Sequence, residues 1–276
     1  MENITYTLSL CQFSSSFDRA VSRAKAGDFV RRAAADGAAV VALPEMWNCP
    51  YENRYFREYA EPADGATVEF MARLAEECGV YLVGGSIPEL VGDKLRNSSF
   101  IFAKDGSQLG SFSKMHMFDV DIEGGVTFKE SATLEAGTSL TVVDTEFGKI
   151  GVAICYDARF PDMFRAMADA GAHLVVMPAS FSPVTGAAHW DILMKSRAVD
   201  EQIYIAACSP APDPDAPYQA FGHSCIVDPW GSFVTYAGTD ETIASGVIDL
   251  GYLAKVRAQV PVTEQRRYDF YHIKER

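Results

Sequence analysis

Residues 149–161 have the sequence KIGVAICYDARFP, and this stretch decides how the rest of the chain is interpreted. Its first half is an apolar run typical of a buried strand, and the run ends at Cys155. A polar turn follows, and Pro161 marks the start of a helix. In α/β proteins, catalytic side chains gather at the carboxyl ends of strands. A cysteine at such an end can act as a nucleophile if a base and an oxyanion-binding group reach it.

Strands and helices alternate on both sides of this segment. Upstream we predict strand 5–13, helix 17–35, strand 38–43, helix 67–78, strand 80–83, and hairpins at 97–113 and 139–155. Downstream we predict helix 161–170, strand 173–177, helix 189–201, strand 203–208, a hairpin turning at 228–231, a strand ending near residue 248, and helix 250–259. Such an order predicts an α/β fold with mixed sheets and helices outside them. Since no linker interrupts the pattern, we expect one domain over residues 1–276.

One connection stands apart from this alternation. Residues 115–137 contain no clear strand or helix pattern, so we expect a long loop without regular structure. A loop of more than about 15 residues in a compact domain is usually functional or disordered. This one begins beside Lys114 and contains Glu130, which favours a functional role.

Composition and charge exclude several classes of function. The 276 residues are 48% hydrophobic and 22% charged, an ordinary globular balance, and the net charge of −13 argues against a nucleic-acid surface. The sequence has no apolar run near the ~18 residues of a membrane span and no signal-peptide pattern, so we expect a cytoplasmic protein without membrane association. The six cysteines have irregular spacings without a zinc or dithiol motif, and Cys11 and Cys208 lie in apolar runs, where we expect core positions.

Two other strand ends supply groups that a cysteine nucleophile needs. A thiol attacks only as thiolate, so Cys155 requires a base. Glu45 follows the predicted strand 38–43 and has apolar and aromatic neighbours that raise a carboxyl pKa, as a proton shuttle requires. Lys114 offers a cation for an oxyanion, together with the backbone N–H of Tyr156; removing one such donor elsewhere costs about 3–4 kcal/mol. The histidine nearest to another candidate is His116.

Each of these residues also has a structural interpretation when it is taken alone. Cys155 could be an inert buried thiol, Glu45 a surface carboxylate, and Lys114 a solvated loop lysine. Their common position after strands of the same polarity favours the catalytic interpretation.

Three segments resemble the catalytic signatures of one known superfamily. They are LPEMWNCPY at 43–51, KMHMFD at 114–119 and GVAICYDARFP at 151–161. Together they are similar to the nitrilase superfamily of carbon–nitrogen hydrolases, and the likeness continues through FKES at 128–131, SRAVD at 196–200 and GHS at 222–224. Within the superfamily, the nearest resemblance is to ω-amidases.

The resemblance implies a fold and a set of residue roles. The fold would be a four-layer α-β-β-α sandwich with two mixed β-sheets, assembled as a homodimer or a higher homo-oligomer, with no metal or organic cofactor. Glu45 would be the general base, Lys114 the oxyanion cation and Cys155 the nucleophile. Glu130 resembles a second glutamate that positions Lys114 or the substrate amide. The implied reaction forms a thioester on Cys155, releases ammonia, and hydrolyses the thioester with water.

The resemblance to ω-amidases also implies a substrate class. These enzymes cleave short dicarboxylic-acid monoamides such as 2-oxoglutaramate and 2-oxosuccinamate, whose far carboxylate needs a cation other than Lys114. We predict Arg159 for that role, because guanidinium binds carboxylate in bidentate fashion. The alternative is an arginine that braces the turn through Asp157 or Asp162. Further pocket candidates, each of which could equally be a core residue, are Tyr51, Met117, Phe118 and Phe181, with Thr185 as a hydrogen-bonding partner.

Two alternatives remain open. The same chemistry would serve an amidase for N-carbamoyl amino acids or for deaminated glutathione. A catalytically silent scaffold is the alternative from a different class. A dimer contact is expected on an outer helix, either 161–170 or 189–201.

Overall fold

A computed structural model describes residues 4–123 and 125–271 of the chain. Its strands are β1 (Thr5–Gln12), β2 (Val40–Ala42), β3 (Tyr81–Val83), β4 (Ile87–Val91), β5 (Lys94–Phe102), β6 (Gln108–Ser113), β7 (Asp119–Asp121), β8 (Thr127–Lys129), β9 (Val142–Thr145), β10 (Gly148–Val152), β11 (Ala172–Pro178), β12 (Tyr204–Cys208), β13 (Cys225–Val227), β14 (Phe233–Tyr236) and β15 (Thr242–Asp249). Its α-helices are α1 (Arg19–Ala35), α2 (Asn53–Tyr59), α3 (Ala66–Cys78), α4 (Pro161–Asp169), α5 (Pro183–Glu201) and α6 (Leu250–Gln259).

Two mixed sheets contain most of the strands. The first has the order β15-β1-β2-β3-β5-β4, with β6 also paired to β5, and the second has the order β14-β13-β12-β11-β10-β9. Each has three adjacent parallel strands, β1, β2 and β3 in the first and β10, β11 and β12 in the second. Strand β6 runs in the same direction as β3, because both are antiparallel to β5. The carboxyl ends of these strands therefore provide the edge at which a site can assemble.

The core explains why the two sheets are stacked between helices. Alternate residues of β1, including Leu8 and Leu10, pack in one apolar cluster with β10, β11 and β12, so this cluster fills the space between the sheets. A second cluster joins the other face of the first sheet to α1 and α3, and residues of α4 and α5 pack on the second sheet. The result is the four-layer α-β-β-α sandwich that the resemblance implies. Because both faces of β2 and β12 are covered, every residue of these two strands is buried.

The structure corrects several sequence-based expectations. Residues 115–137 are not without regular structure, since they contain the two-stranded sheet β7-β8 and a 3₁₀ helix at Glu130–Ala132. Helix α5 begins at Pro183 rather than at 189; Ser182 caps it, and a proline at the first helical position was the available signal. Helix α2 and strand β4 were not predicted at all.

Two expectations about cysteines and membranes can be compared with the structure. All six cysteines are free, and Cys11 and Cys208 are fully buried in the core, as the apolar runs predict. In the described ranges, no helix has the length and apolar character needed to cross a membrane.

Candidate active site

The predicted catalytic side chains meet at the carboxyl ends of the parallel strands. Glu45 follows β2, Cys155 follows β10 and Lys114 follows β6. The position of Lys114 is held from both sides, because its N–H donates to the Asn97 carbonyl and its own carbonyl accepts the N–H of Gly137, both at 2.8 Å. A side chain at Gly137 would lie 2.1 Å from the Ser113 carbonyl oxygen, so this close approach requires glycine.

Lys114 lies between two carboxylates in an interior that excludes solvent. Its Nζ is 3.1 Å from Oε1 of Glu45 and 2.9 Å from Oε2 of Glu130, and all three side chains are completely buried. Glu130 is oriented by the backbone N–H of Phe118, which donates to its Oε2 at 2.7 Å. Buried charges are stable only when they are paired and hydrogen-bonded, and this cluster meets both conditions. The structure therefore places Glu130 directly against Lys114, where the sequence left its position open.

Glu45 accepts hydrogen bonds from several directions. Its Oε1 accepts from the Asn97 side-chain amide at 2.8 Å and from the Tyr51 hydroxyl at 3.3 Å, and its Oε2 accepts from the Ser180 N–H at 2.8 Å. The Tyr51 hydroxyl lies at the same distance, 3.3 Å, from Oε1 of Glu130. Tyr51 is thus more than a pocket wall, because its one hydroxyl proton is shared by both carboxylates.

Cys155 occupies a strained turn next to this cluster. Its φ of 49° lies in the left-handed region, which costs a non-glycine residue of order 1 kcal/mol or more. The thiol Sγ is 3.7 Å from the Ser180 carbonyl oxygen. Ser180 therefore contacts both groups, through its N–H to Glu45 and through its carbonyl to Cys155. Met46, directly after Glu45, has a similar φ of 51°.

The pKa shifts in the cluster follow from burial and from its single cation. Burial raises the pKa of the Glu45 carboxyl, and the neighbouring Glu130 raises it further, although Lys114 opposes both. Burial raises the pKa of the Cys155 thiol well above its usual range, with Glu45 adding to the effect and Lys114 acting against it. Burial alone would lower the pKa of Lys114, but the charges of Glu130 and Glu45 hold it well above its usual value. The thiol is therefore protonated at neutral pH beside a cation and a base.

A buried aspartate braces the turn that carries Cys155. Asp157 accepts the N–H of Ile154 through Oδ2 at 3.0 Å, and its Oδ1 accepts the N–H of His116 at 3.0 Å and contacts the His116 ring Nδ1 at 2.7 Å. The His116 ring in turn stacks on Phe160, with 3.5 Å between centroids. His116 thus links the lysine segment to the nucleophile turn. Tyr156 is the second residue of the 3₁₀ helix Cys155–Arg159, and the first amides of a helix have no acceptor within it.

Arg159 lines a cavity of about 290 Å³, which we call the Arg159 cavity. Its guanidinium lies over the rings of Tyr156 and Phe181, 5.4 Å from each centroid, and contacts Nδ1 of His189 at 3.3 Å. Within the described part of the chain Arg159 forms no ion pair, and Asp157, one of its two suggested partners, is bound to His116. The cavity is lined by Phe118, Tyr156, Arg159, Val184, Thr185 and His189, among others.

The remaining predicted pocket residues have different surroundings. Phe118 and Thr185 line the Arg159 cavity, although the Thr185 hydroxyl also lies 3.0 Å from the Ser182 hydroxyl. Phe181 is buried beneath Arg159 and packs on Trp190. Met117 is half-buried against the apolar cluster that contains Tyr51, so its contacts are those of a packing residue.

Three residues in contact with the site were not among the predicted ones. Ser180 follows β11 by two residues, so the carboxyl-end argument that selected Glu45 and Cys155 could have found it. Asn97 lies inside β5, and Tyr218 lies in a long connection and donates to the Ser180 carbonyl at 3.0 Å. No local pattern in the sequence distinguishes these last two.

The structure combines an α-β-β-α sandwich with a cluster of a thiol, a lysine and two glutamates, and comparisons with known proteins show the family. Residues 7–258 match the carbon–nitrogen hydrolase family. The chain is 46% identical to omega-amidase NIT2-A of Xenopus laevis over 98% of both chains, and 44% identical to human omega-amidase NIT2 over the same shares. The crystal structure of Nit3 from Saccharomyces cerevisiae, a nitrilase superfamily member, superimposes with a TM-score of 0.88 at 39% identity, covering 95% of this chain and 97% of Nit3.

The chain therefore belongs to the carbon–nitrogen hydrolase family of the nitrilase superfamily. It is an amidohydrolase that acts on C–N bonds. The alternative of a silent scaffold is not supported by these relatives.

Proposed function

We propose that this chain cleaves the terminal amide of short dicarboxylic-acid monoamides, with 2-oxoglutaramate and 2-oxosuccinamate as substrates, through a thioester on Cys155. The observation that carries the proposal is the position of Lys114. Its ammonium group lies between two buried carboxylates, and Ser180 contacts both the Glu45 carboxylate and the Cys155 thiol. A base, a nucleophile and a cation are then within reach of one carbonyl group.

The first half of the reaction forms the thioester. Glu45 takes the thiol proton, and the Cys155 sulfur forms a bond to the amide carbon. The negative charge that develops on the carbonyl oxygen is stabilised by Lys114 and by the backbone N–H of Tyr156. The C–N bond then breaks, and the proton held by Glu45 passes to the leaving nitrogen, so that ammonia departs.

The second half regenerates the enzyme. Glu45 takes a proton from water, and the water oxygen attacks the thioester carbon. The C–S bond breaks, and the proton on Glu45 returns to the sulfur. One carboxylate thus serves as base and acid twice, which suits a carboxyl whose pKa burial has raised toward the working pH.

Arg159 supplies the selectivity for a second carboxylate. Its guanidinium lines a 290 Å³ cavity and has no carboxylate partner among the described residues, although the chain as a whole is strongly acidic. An anionic substrate needs such a local cation. The names of the 44–46% identical relatives support an ω-amidase activity over the alternatives.

The test is a substrate panel with detection of ammonia. We expect 2-oxoglutaramate and 2-oxosuccinamate to be hydrolysed, Cys155→Ala to be inactive, and a rapidly quenched reaction to contain an acyl adduct on Cys155 by intact mass. Release of carbon dioxide from N-carbamoyl amino acids, or cleavage of deaminated glutathione in preference to both monoamides, would assign the chain to the alternative activities.

The role of Arg159 is tested separately. Arg159→Met keeps the bulk of the side chain and removes the charge, and we expect KM for 2-oxoglutaramate to rise by at least tenfold. Propionamide, which has no carboxylate, is the matched control, and its hydrolysis by Arg159→Met should equal that of the wild type. An equal loss for both amides would mean that Arg159 braces the turn rather than binding substrate.

A further inference from the structure

A cavity separate from the Arg159 cavity reaches Glu45. This small cavity, which we call the Ser15 cavity, has a volume of about 30 Å³. It is lined by Ser14, Ser15, Glu45, Tyr51, Ser180 and Tyr218, together with Asp213 and apolar residues. No described residue lines both this cavity and the Arg159 cavity. The Ser15 cavity therefore reaches the base, whereas the Arg159 cavity is lined by Tyr156 and Arg159, which belong to the same turn as Cys155.

The size and lining of the Ser15 cavity fit water. A cavity of this volume holds one or two water molecules and is too small for a dicarboxylic-acid amide. A bound water also needs two to four polar partners. The Glu45 carboxylate, the Tyr51 hydroxyl and the Ser15 hydroxyl lie in its wall, whereas the Ser14 hydroxyl is engaged with Glu241.

A larger surface pocket adjoins the Ser15 cavity. This pocket, called here the Asp213 pocket, has a volume of about 300 Å³ and shares four lining residues with the Ser15 cavity, namely Ser14, Ser15, Asp213 and Ala216. All four are partly exposed to solvent. The wall between the two spaces is therefore thin and reaches the protein surface.

The charges of the Asp213 pocket select against the substrate. Asp213 and Asp215 both line it, and its lysine, Lys25, is paired with Glu241 at 2.7 Å. A dicarboxylic-acid amide is repelled by this mouth and attracted to Arg159, whereas water is neutral and enters freely. The two openings thus separate the anionic substrate from the neutral second reactant.

We propose that the Ser15 cavity binds the water that hydrolyses the Cys155 thioester, and that the Asp213 pocket is the entrance through which this water reaches Glu45. The inference rests on the proposed function. In the step concerned, a water held in the cavity gives one proton to Glu45 and forms an O–C bond to the acyl carbon. The C–S bond breaks, the same proton passes from Glu45 to the sulfur, and the free acid leaves through the Arg159 cavity.

The test places larger side chains in the wall shared by the Ser15 cavity and the Asp213 pocket, so that the passage between them becomes narrower. Ala216→Leu places a larger apolar side chain at a partly exposed position of that wall, and Ser15→Leu does so from the opposite segment. With 2-oxosuccinamate, rapid quenching measures the first ammonia released per enzyme, and intact mass follows the decay of the acyl-enzyme directly. We expect ammonia release in the first turnover to stay within twofold of the wild type, and the decay of the acyl-enzyme to slow by at least tenfold.

The matched control is Ala188→Leu, the same change in the wall of the Arg159 cavity. It should raise KM without slowing the decay of the acyl-enzyme. Unchanged decay in both Ala216→Leu and Ser15→Leu would overturn the inference, as would equal slowing of acylation and decay. If the wild type releases no ammonia from any amide, the proposed function fails. If the wild type releases ammonia and the acyl-enzymes of the wall variants decay as fast as that of the wild type, only the proposed water route fails.

Discussion

Removal of one hydroxyl group tests the electrostatics of the site. Tyr51→Phe deletes the donor that lies 3.3 Å from both Glu45 and Glu130 and leaves the ring, which packs on Phe56 and Tyr218, in place. Burial raises the pKa of Tyr51 well above its usual value, so the hydroxyl remains protonated and can donate throughout the working pH range. Because it donates to a carboxylate, it favours the ionised form of Glu45.

The expected size of the effect follows from the geometry. A hydrogen bond to a charged group contributes about 1.5–3 kcal/mol, and the length of 3.3 Å places this one at the lower end. A loss of about 1.5 kcal/mol corresponds to about one pH unit if all of it falls on Glu45. Glu130 shares the same proton, so one unit is an upper bound. Loss of a donor to the anion raises the pKa of Glu45, which burial has already raised.

The assay is the pH dependence of kcat/KM for 2-oxoglutaramate. The proposed reaction needs ionised Glu45, so we expect the acidic limb of the profile to move to higher pH by about 0.5 to 1 unit. Two tyrosine variants serve as controls. Tyr59→Phe removes a hydroxyl that donates to the Phe17 carbonyl far from the cluster, and Tyr218→Phe removes one that donates to the Ser180 carbonyl. Neither hydroxyl contacts a carboxylate of the site, so the acidic limb should stay in place in both control variants.

An acidic limb of Tyr51→Phe that coincides with that of the wild type would refute this account of Glu45. A limb displaced to lower pH would reverse the sign and mean that Tyr51 stabilises the protonated carboxyl. A shift of equal size in Tyr218→Phe would show that the effect arises from general disturbance of the pocket.

Further expected outcomes concern stability and assembly. Burial and the Arg257 charge lower the pKa of His173 to about 4, so the unfolded chain binds one more proton than the folded chain between about pH 4 and 6.5. The free energy of unfolding, measured by urea titration, should therefore fall by about 2 kcal/mol from pH 7.5 to pH 5. His173→Gln should lose this part of the pH dependence. Lys114→Met leaves two buried carboxylates without their cation and should lower the free energy of unfolding by about 3–5 kcal/mol, whereas Lys149→Met, which removes an exposed lysine, should change it by less than about 0.5 kcal/mol. Because Cys155 has a left-handed φ, Cys155→Gly should be at least as stable as Cys155→Ala, the reverse of the usual order, by differential scanning calorimetry. If α5 forms the expected homodimer contact, Ile192→Asp at its exposed apolar surface should give a monomer by light scattering, and Ile243→Asp would not be a suitable control because that side chain packs on the core.

The sequence could predict the site where the signal was local. Glu45 and Cys155 each end an apolar run, and the direction of the strands brings such ends to one edge. The alternation of strands and helices was enough to predict the fold, which the structure confirms. The predicted bounds of most helices and strands lie within a few residues of the observed ones. Residues 161–169 and 250–259 are examples, since a proline and a capping aspartate, respectively, mark where these helices begin.

Other features depend on contacts that no local pattern carries. The orientation of Asn97 toward Glu45 follows from the register of β5 between β4 and β6, which is set by pairing partners rather than by residues 94–102 themselves. The small sheet β7-β8 has two three-residue strands, too short for alternation to be visible. Tyr218 reaches the site only because its connection folds back over Ser180. Tertiary structure supplies these positions.

The charges of the proposed reaction, added up, give a reason for the second glutamate, Glu130. In the proposed reaction the cluster before attack consists of two carboxylates, one ammonium group and a neutral thiol, so it carries one net negative charge. After attack, Glu45 is neutral and the oxyanion has replaced its charge, so the total is unchanged. A buried site cannot rearrange solvent around a changing charge, and constancy of the total avoids that cost. Without Glu130 the lysine would face a neutral Glu45 and the oxyanion alone, and burial would then favour transfer of its proton to that oxyanion. In this reaction we therefore expect Glu130 to keep Lys114 charged while the oxyanion is present.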